Sequence, residues 1–555
     1  VDTSKFKVGD TVVIEYKTEN TNAFTLNDFK PSIGTHAKIL EIDTVNKIIY
    51  TDYYTELDFQ NLPPVAGSGF MYKTTPIKGI VIKNGVLRSI TPNSAGKRDC
   101  AIRIEHAEGV TFENIDVVDF NDKAIQIRWM RNINVRNVNS EVMLGDKSLD
   151  YVVQCLDTYR GIFENITGTS NLAALDFSFG CSYITAKNIH SRNSEGAWGA
   201  IQLHGECEHD ITFENCSGIF SFANNTGEFM GYSYNITLNG CKGAAYITGC
   251  DHLQVNNSNL ILTSTDFSNL RIYGVEVNNS KIKLAKGVLY KAARLGGRIK
   301  PYLKFFNSEV KPFFEGATGL YKYIFIGFEK VSFVECNIKN TLANIGAYFV
   351  LDACVNFNFH GNVNEGFLFA IRNNDGGTPS PFVFNRYSFK RNEFVINDVN
   401  NAAKSYTTTL DFLFNFSNIS DLTGLITFDN NEFYFAKSHA RQWKFIELST
   451  ISTTSNLKFE FFNTKIDSVT TGEVDLTIPH NTGYVVEYGS NRVDISKVNE
   501  YGTAYRLSDL YPTSPTTGTW KVGKQIKYSQ PTAGGKIGMV NVSTGVWKPF
   551  GTIDN

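Results

Sequence analysis

Between Ala101 and Asn257 apolar and polar residues alternate in five short runs: Ala101-Ile-Arg-Ile-Glu105, Ala124-Ile-Gln-Ile-Arg128, Val152-Val-Gln-Cys-Leu156, Ala174-Leu-Asp-Phe-Ser178 and Ala200-Ile-Gln-Leu-His204. Strand side chains alternate between faces, so Ile102, Ile125, Val153, Leu175 and Ile201 are predicted to face inward. Arg103, Gln126, Gln154, Asp176 and Gln202 should then face outward.

A second pattern interleaves with the first. Phe112-Glu-Asn114, Val135-Arg-Asn137, Phe163-Glu-Asn165, Ala186-Lys-Asn188, Phe213-Glu-Asn215, Leu238-Asn-Gly240 and Val255-Asn-Asn257 form a ladder with irregular spacing. The residues after the first six are Ile115, Val138, Ile166, Ile189, Cys216 and Cys241, which suit one buried column. Asparagine tolerates left-handed backbone at a tight turn, and its amide can bond the amide of the next rung. The two patterns together predict an all-β chain built as a right-handed parallel β-helix, a solenoid whose rungs carry variable loops.

The pattern changes toward both ends. Residues 1–65 read as a small antiparallel β module flanking the helix, with Phe6–Ile14, Ala37–Ile42 and Lys47–Thr51 as strands. Residues 66–470 are assigned to the solenoid, with phenylalanine increasingly at the inward positions. Residues 471–555 are turn-dense and form a C-terminal β module, a candidate for trimerisation or carbohydrate binding, with Trp520 and Trp547 in its core.

Composition narrows the function classes. A net charge of -2 gives no support for a nucleic-acid partner held by phosphate neutralisation. No apolar run is long enough for membrane insertion. The nine cysteines show no paired C-x-x-C spacing. Cys155, Cys216 and Cys241 fall on inward positions and read as core residues, and whether Cys216 and Cys241 bridge is left open.

The ending, with Gly518-Thr-Trp520, Pro531-Thr-Ala-Gly-Gly535 and Trp547-Lys-Pro-Phe-Gly551, resembles the terminal module of bacteriophage tailspikes and related pectate-lyase-like proteins. The Lys7-Val-Gly-Asp10 opening and the asparagine-laddered helix extend that resemblance over nearly the whole chain. It implies a capsule depolymerase in the virion tail, a homotrimer that binds and cleaves a capsular or O-antigen polysaccharide on the bacterial surface. It also implies attachment to a phage tail or baseplate protein through an N-terminal region preceding Val1. Catalytic residues are poorly shared within the family, so none is carried across.

The residues themselves supply the candidates. On a β-helix, carboxylates on adjacent rungs lie about 5 Å apart, and those two rungs apart about 9–10 Å, near the retaining and inverting glycosidase separations. Asp176, flanked by apolar and aromatic neighbours, is the candidate general acid, Glu228 the base and Glu206 the substitute for either. His204 is the fourth catalytic candidate, able to orient a carboxylate or act as base in a β-elimination. The cluster His204, Glu206, Glu208 and His209 lacks metal-site spacing, and no metal or cofactor is expected. Arg128, Trp129, Gln154, Trp198, Gln202, Tyr232 and Tyr234 are the substrate-binding candidates, the aromatics as platforms for a pyranose and Arg128 for an acidic sugar. A glycoside hydrolase with a carboxylate pair leads, followed by a polysaccharide lyase and a non-catalytic receptor-binding spike.

Overall fold

Asparagine adopts positive φ more readily than most residues, and the chain uses this at one corner of each rung. In the computed structural model Asn84, Asn114, Asn137, Asn165, Asn188, Asn215, Asn257 and Asn279 all have φ between 49° and 57°. The structure describes residues 2–17, 32–52, 69–88, 100–118, 120, 123–140, 151–168, 173–191, 201–204, 208–222, 233–247, 249–263, 271–272, 274–285, 289–291, 301–313, 321–341, 347–372, 382–397, 410–417, 422–436, 442–448, 456–462, 464–468, 474–475, 484–488, 498–499, 510–511, 522–523, 525–528, 532–543 and 546–553. They divide into two units, Val1–Ile282 and Lys283–Asn555.

In the first unit the sequence ladder is a structural register. Phe112, Val135, Phe163, Ala186, Phe213, Leu238 and Val255 pair in parallel, each with the next. Ile102, Ile125, Val153, Leu175 and Ile201 form a second register on another face of the rungs. The result is a parallel β-solenoid with the apolar columns inside.

The corner amides bond along the axis as their chemistry allows. Asn114 Nδ2 donates to Asn84 Oδ1 at 2.9 Å, Asn137 to Asn114 at 2.8 Å, Asn165 to Asn137 at 2.9 Å and Asn188 to Asn165 at 3.0 Å. One residue later, Ile115, Val138, Ile166, Ile189, Cys216 and Cys241 are all buried. Both cysteines are free thiols, which settles the open question of a bridge. Gly240 stands at the corner where asparagine is missing, with φ 66°, and a Cβ there would lie 2.5 Å from Asn215 Oδ1.

One residue before the corner, the outward positions alternate in charge. Lys83, Glu113, Arg136, Glu164, Lys187 and Glu214 are successive register partners. Opposite charges on neighbouring strands attract, and like charges opposite each other destabilise.

The N-terminal module is an antiparallel four-stranded sheet of Thr11–Lys17, Ser32–Asp43, Ile48–Thr51 and Gly69–Thr74. It seats against the side of the early rungs. Arg131 holds Asp52 with two guanidinium nitrogens, Tyr159 donates its hydroxyl to the Asp52 carbonyl at 2.7 Å, and Lys38 lies 3.1 Å from Glu108. His36, buried in this junction, meets His106 edge to face at 5.9 Å.

The second unit is also a parallel solenoid, and its interior is aromatic as the sequence suggested. Phe305 stacks on Phe333 at 4.7 Å, Phe389 on Phe428 at 5.0 Å and Phe394 on Phe433 at 4.4 Å. Parallel pairing continues past residue 470 through Tyr484–Tyr488 to Val498–Asn499. Beyond it Leu510–Tyr511, Gln525–Tyr528, Lys536–Ser543 and Val546–Thr552 form a small separate sheet.

Candidate active site

Period-2 alternation places two outward rows side by side on the first unit. One runs Arg103, Gln126, Gln154, Asp176, Gln202 and Ser221; the other runs Glu105, Arg128, Leu156 and Ser178, with His204 just after the end of strand Ile201–Leu203. Facing away from the core does not leave these rows open to solvent. Gln126, Gln154 and Gln202 are nearly buried and Asp176 has no exposed surface, while Arg103 at one end is exposed. The His204 side chain retains 27% of its surface. The expected open groove is therefore a covered polar row, accessible at the Arg103 end and, in the row beside it, at His204.

Inside it the polar groups satisfy one another in a fixed direction. Gln126 Nε2 donates to Gln154 Oε1 at 2.9 Å, and Gln154 Nε2 donates to Asp176 Oδ2 at 3.1 Å. Ser178 Oγ donates to the same oxygen at 3.2 Å. Asp176 Oδ1 lies 3.0 Å from His204 Nε2, at ion-pair distance but without the alignment of a hydrogen bond. A buried carboxylate is tolerable only when donors surround it, and the amide chain supplies them. Beneath this face the Cys155 and Cys181 thiols are fully buried, and burial holds both well above the ordinary thiol range.

Asp176 thus accepts twice at Oδ2, from Gln154 and Ser178, and has no surface facing a substrate. That departs from the expected general acid in an apolar setting, because Ser178 and Gln154 supply donors that the flanking phenylalanines concealed. Ser178 was not among the sequence candidates. Its position two residues after Asp176 on the same face was the available signal.

The other candidates separate. Arg128 is nearly buried, with Cζ 3.8 Å from the Trp129 ring centroid and Nε 3.5 Å from Asp157 Oδ2. Trp129 stacks on His106 at 4.5 Å. It occupies a left-handed corner, φ 49°, so its ring follows the corner and not the outward row. Tyr234 is 3% exposed and stacks on His209 at 4.6 Å, an interior arrangement set by their pairing in register. These three make contacts within the protein, and of the two rings Tyr234 is buried while Trp129 is half-buried. His209 and Glu208 are likewise buried among other partners: Glu208 accepts from Ser233 Oγ at 2.9 Å. Glu206, Glu228, Trp198 and Tyr232 lie outside the described residues.

No protein-family model matches the sequence, and no curated protein does. Among solved structures, the tailspike protein gp49 from Pseudomonas phage LKA1 aligns over 70% of this chain and 63% of its own length, at 13% identity and a TM-score of 0.38. The Pseudomonas phage phi297 tailspike gp61 aligns over 89% of this chain and 62% of its own, at 10% identity and a TM-score of 0.19. The alignments thus span less than two thirds of either structure's length.

Proposed function

We propose that this chain is a polysaccharide depolymerase of the phage tailspike kind, cleaving a capsular or O-antigen polysaccharide with His204 as the proton-transferring group. The supporting observation is the pairing of a fully buried carboxylate with a partly exposed imidazole, Asp176 Oδ1 to His204 Nε2 at 3.0 Å. A carboxylate behind a histidine fixes its ring orientation and stabilises the imidazolium formed when it takes a proton. His204 is the base at the reacting sugar, and Asp176 is its positioning residue. Gln154 and Ser178 hold the carboxylate in turn.

The whole particle follows the resemblance drawn from the termini: a homotrimer on a phage tail, working outside the cell on the bacterial surface. The carboxylate-pair mechanism requires Asp176 to reach a glycosidic oxygen, and its complete burial weighs against that route.

Incubation with purified surface polysaccharides, read by reducing ends and by ultraviolet absorbance of unsaturated uronate, tests the proposal. Hydrolysis gives ends alone and elimination gives both. His204→Ala is expected to lower cleavage roughly 100- to 10,000-fold, the usual contribution of a positioned acid–base group. Asp176→Asn should lower the rate less and displace the pH profile. Unchanged cleavage by His204→Ala overturns the reading.

A further inference from the structure

In the unit Lys283–Asn555, strands Lys330–Val334, Asn356–His360 and Phe382–Lys390 are neighbours in parallel register. Val331, Phe333, Phe357, Phe359, Tyr387 and Phe389 point into the core and are buried. The alternate positions therefore face outward in three rows: Lys330, Asn356, Arg386; Ser332, Asn358, Ser388; and Val334, His360, Lys390. The middle row continues to Thr427.

This surface has two features that its fold does not need. Its floor is made of hydroxyls and an amide, and Ser332 Oγ and Thr427 Oγ1 are buried without a hydrogen-bond partner although each residue is at most 4% exposed. Such a group costs roughly 1–3 kcal/mol when nothing satisfies it. Its flanks are cationic: Lys330 and Arg386 on one side, Lys390 and the corner residue Arg391 on the other, with Arg386, Lys390 and Arg391 exposed. Asp429 lies 3.1 Å from Lys390, and Glu329 Oε1 accepts from Asn356 Nδ2 at 3.5 Å. His360, bonded to Ser388 Oγ at 2.9 Å, is pushed below its ordinary pKa by burial first, and then by Lys390, Arg391, Arg386 and Lys330. Glu335, the exposed corner residue after Val334, is a third carboxylate, and the four cations outweigh the three in the field at this surface.

We propose that this strip is a second glycan site, separate from Asp176 and His204, which binds an oligosaccharide bearing anionic groups along the solenoid axis. Lys330 and Arg386 are two rungs apart, about 9–10 Å at the spacing of neighbouring strands, and so meet successive charges of an extended chain. Arginine and lysine recognise carboxylate and sulfate ester alike, the first in a planar fork. Sugar hydroxyls reach the floor at the Asn358 amide, which is half-buried, whereas the Ser332 and Thr427 hydroxyls beside it are covered. Within these three rungs the rows carry no tyrosine, tryptophan or phenylalanine, Tyr302 and Phe306 lying one rung earlier, so nothing between the two cations stacks a nucleobase, which favours a sugar over a single-stranded nucleic acid. The assignment holds whether or not His204 cleaves anything.

Calorimetric titration of the full chain tests it with four probes: oligogalacturonate, a heparin-derived sulfated oligosaccharide, a neutral maltooligosaccharide and oligothymidylate. At least one anionic sugar should bind and weaken as salt rises, and the two anionic arms identify carboxylate or sulfate as the preferred group. Lys330→Ala with Arg386→Ala should lower that affinity at least tenfold and Asn358→Ala a few-fold. Arg386→Gln, at an exposed side chain, repeats the test without disturbing packing. Neither anionic sugar binding, equal binding of the neutral sugar, tighter binding of oligothymidylate, or unchanged affinity in the double variant each overturns the site. His204→Ala should leave this binding in place, so failure of the cleavage proposal is read separately.

Discussion

In the unit Val1–Ile282 the amides of Asn84, Asn114, Asn137, Asn165 and Asn188 stand at a left-handed corner and bond to one another on the outside. In the unit Lys283–Asn555 Asn362, Asn392 and Asn431 sit one residue past the corner and are buried. There Asn392 Oδ1 accepts from the Asn362 backbone N–H at 2.9 Å, and Asn431 Oδ1 from that of Asn392 at 3.1 Å. Their Nδ2 groups donate to the carbonyls of Phe333, Phe359 and Phe389. The outer ladder relieves backbone strain and leaves its spare polar groups to water. The inner ladder takes the place of water for backbone groups that have lost it. The same side chain is therefore replaceable in one unit and structural in the other.

The largest break in this comparison is expected at Asn392→Leu. It strands the Asn362 N–H and the Phe359 carbonyl, with Asn431 Oδ1 losing one donor, at roughly 1–3 kcal/mol per orphaned group. A loss of about 4 kcal/mol should appear in denaturant unfolding followed through the second unit. A loss below about 1 kcal/mol would show that the inner ladder is not structural.

Acid should sharpen the contrast, because amides do not titrate whereas the first unit holds a buried histidine. Burial, with help from His106 and Arg131 and against Glu108, lowers His36 from 6.5 to about 4. The folded pKa lies below the unfolded one, so the contribution is complete above pH 6.5 and is lost as pH falls toward about 4. At about 1.4 kcal/mol per pKa unit the loss is at most about 3 kcal/mol. Trp129 stacks on His106 at 4.5 Å, so its fluorescence should follow the loosening of the junction, and His36→Phe should flatten that profile.

The smallest effects belong to the outer ladder. Asn137→Ala must hold an alanine at positive φ and loses two amide contacts, for about 2 kcal/mol. Asn137→Gly keeps the corner unstrained and should cost under about 1 kcal/mol in the same measurement. Equal losses in the two variants would assign the stability to the amide bonds and not to the backbone.

What was legible in the sequence was whatever each rung settles locally. A corner that wants asparagine, followed by a small or branched apolar residue, gave the register through Val255 with no error of face. Cys155, Cys216 and Cys241 were placed in the core on the same reasoning. The site was half legible. Alternation correctly put Gln154, Asp176 and Gln202 on one face, but it says nothing of what lies over that face. Trp129 stands at a corner, half-buried, and its stacking on His106 could not be read from alternation along the chain. Tyr234 was misplaced because its partner His209 is a neighbour across rungs, not along the chain. The inner ladder went unnoticed because the asparagine pattern matches Asn430, the corner, and stops one residue short of Asn431.

The row Lys83, Glu113, Arg136, Glu164, Lys187 and Glu214 bears on how the rungs find their partners. Identical asparagines bond equally well whichever rung comes next, so a chain that skips one rung while winding would go undetected by that ladder. Alternating signs act as a parity check: skipping one rung sets Glu113 on Glu164 or Arg136 on Lys187 and is rejected, whereas skipping two restores attraction. The commonest threading mistake in a repetitive fold is thus caught by the cheapest residues on its surface.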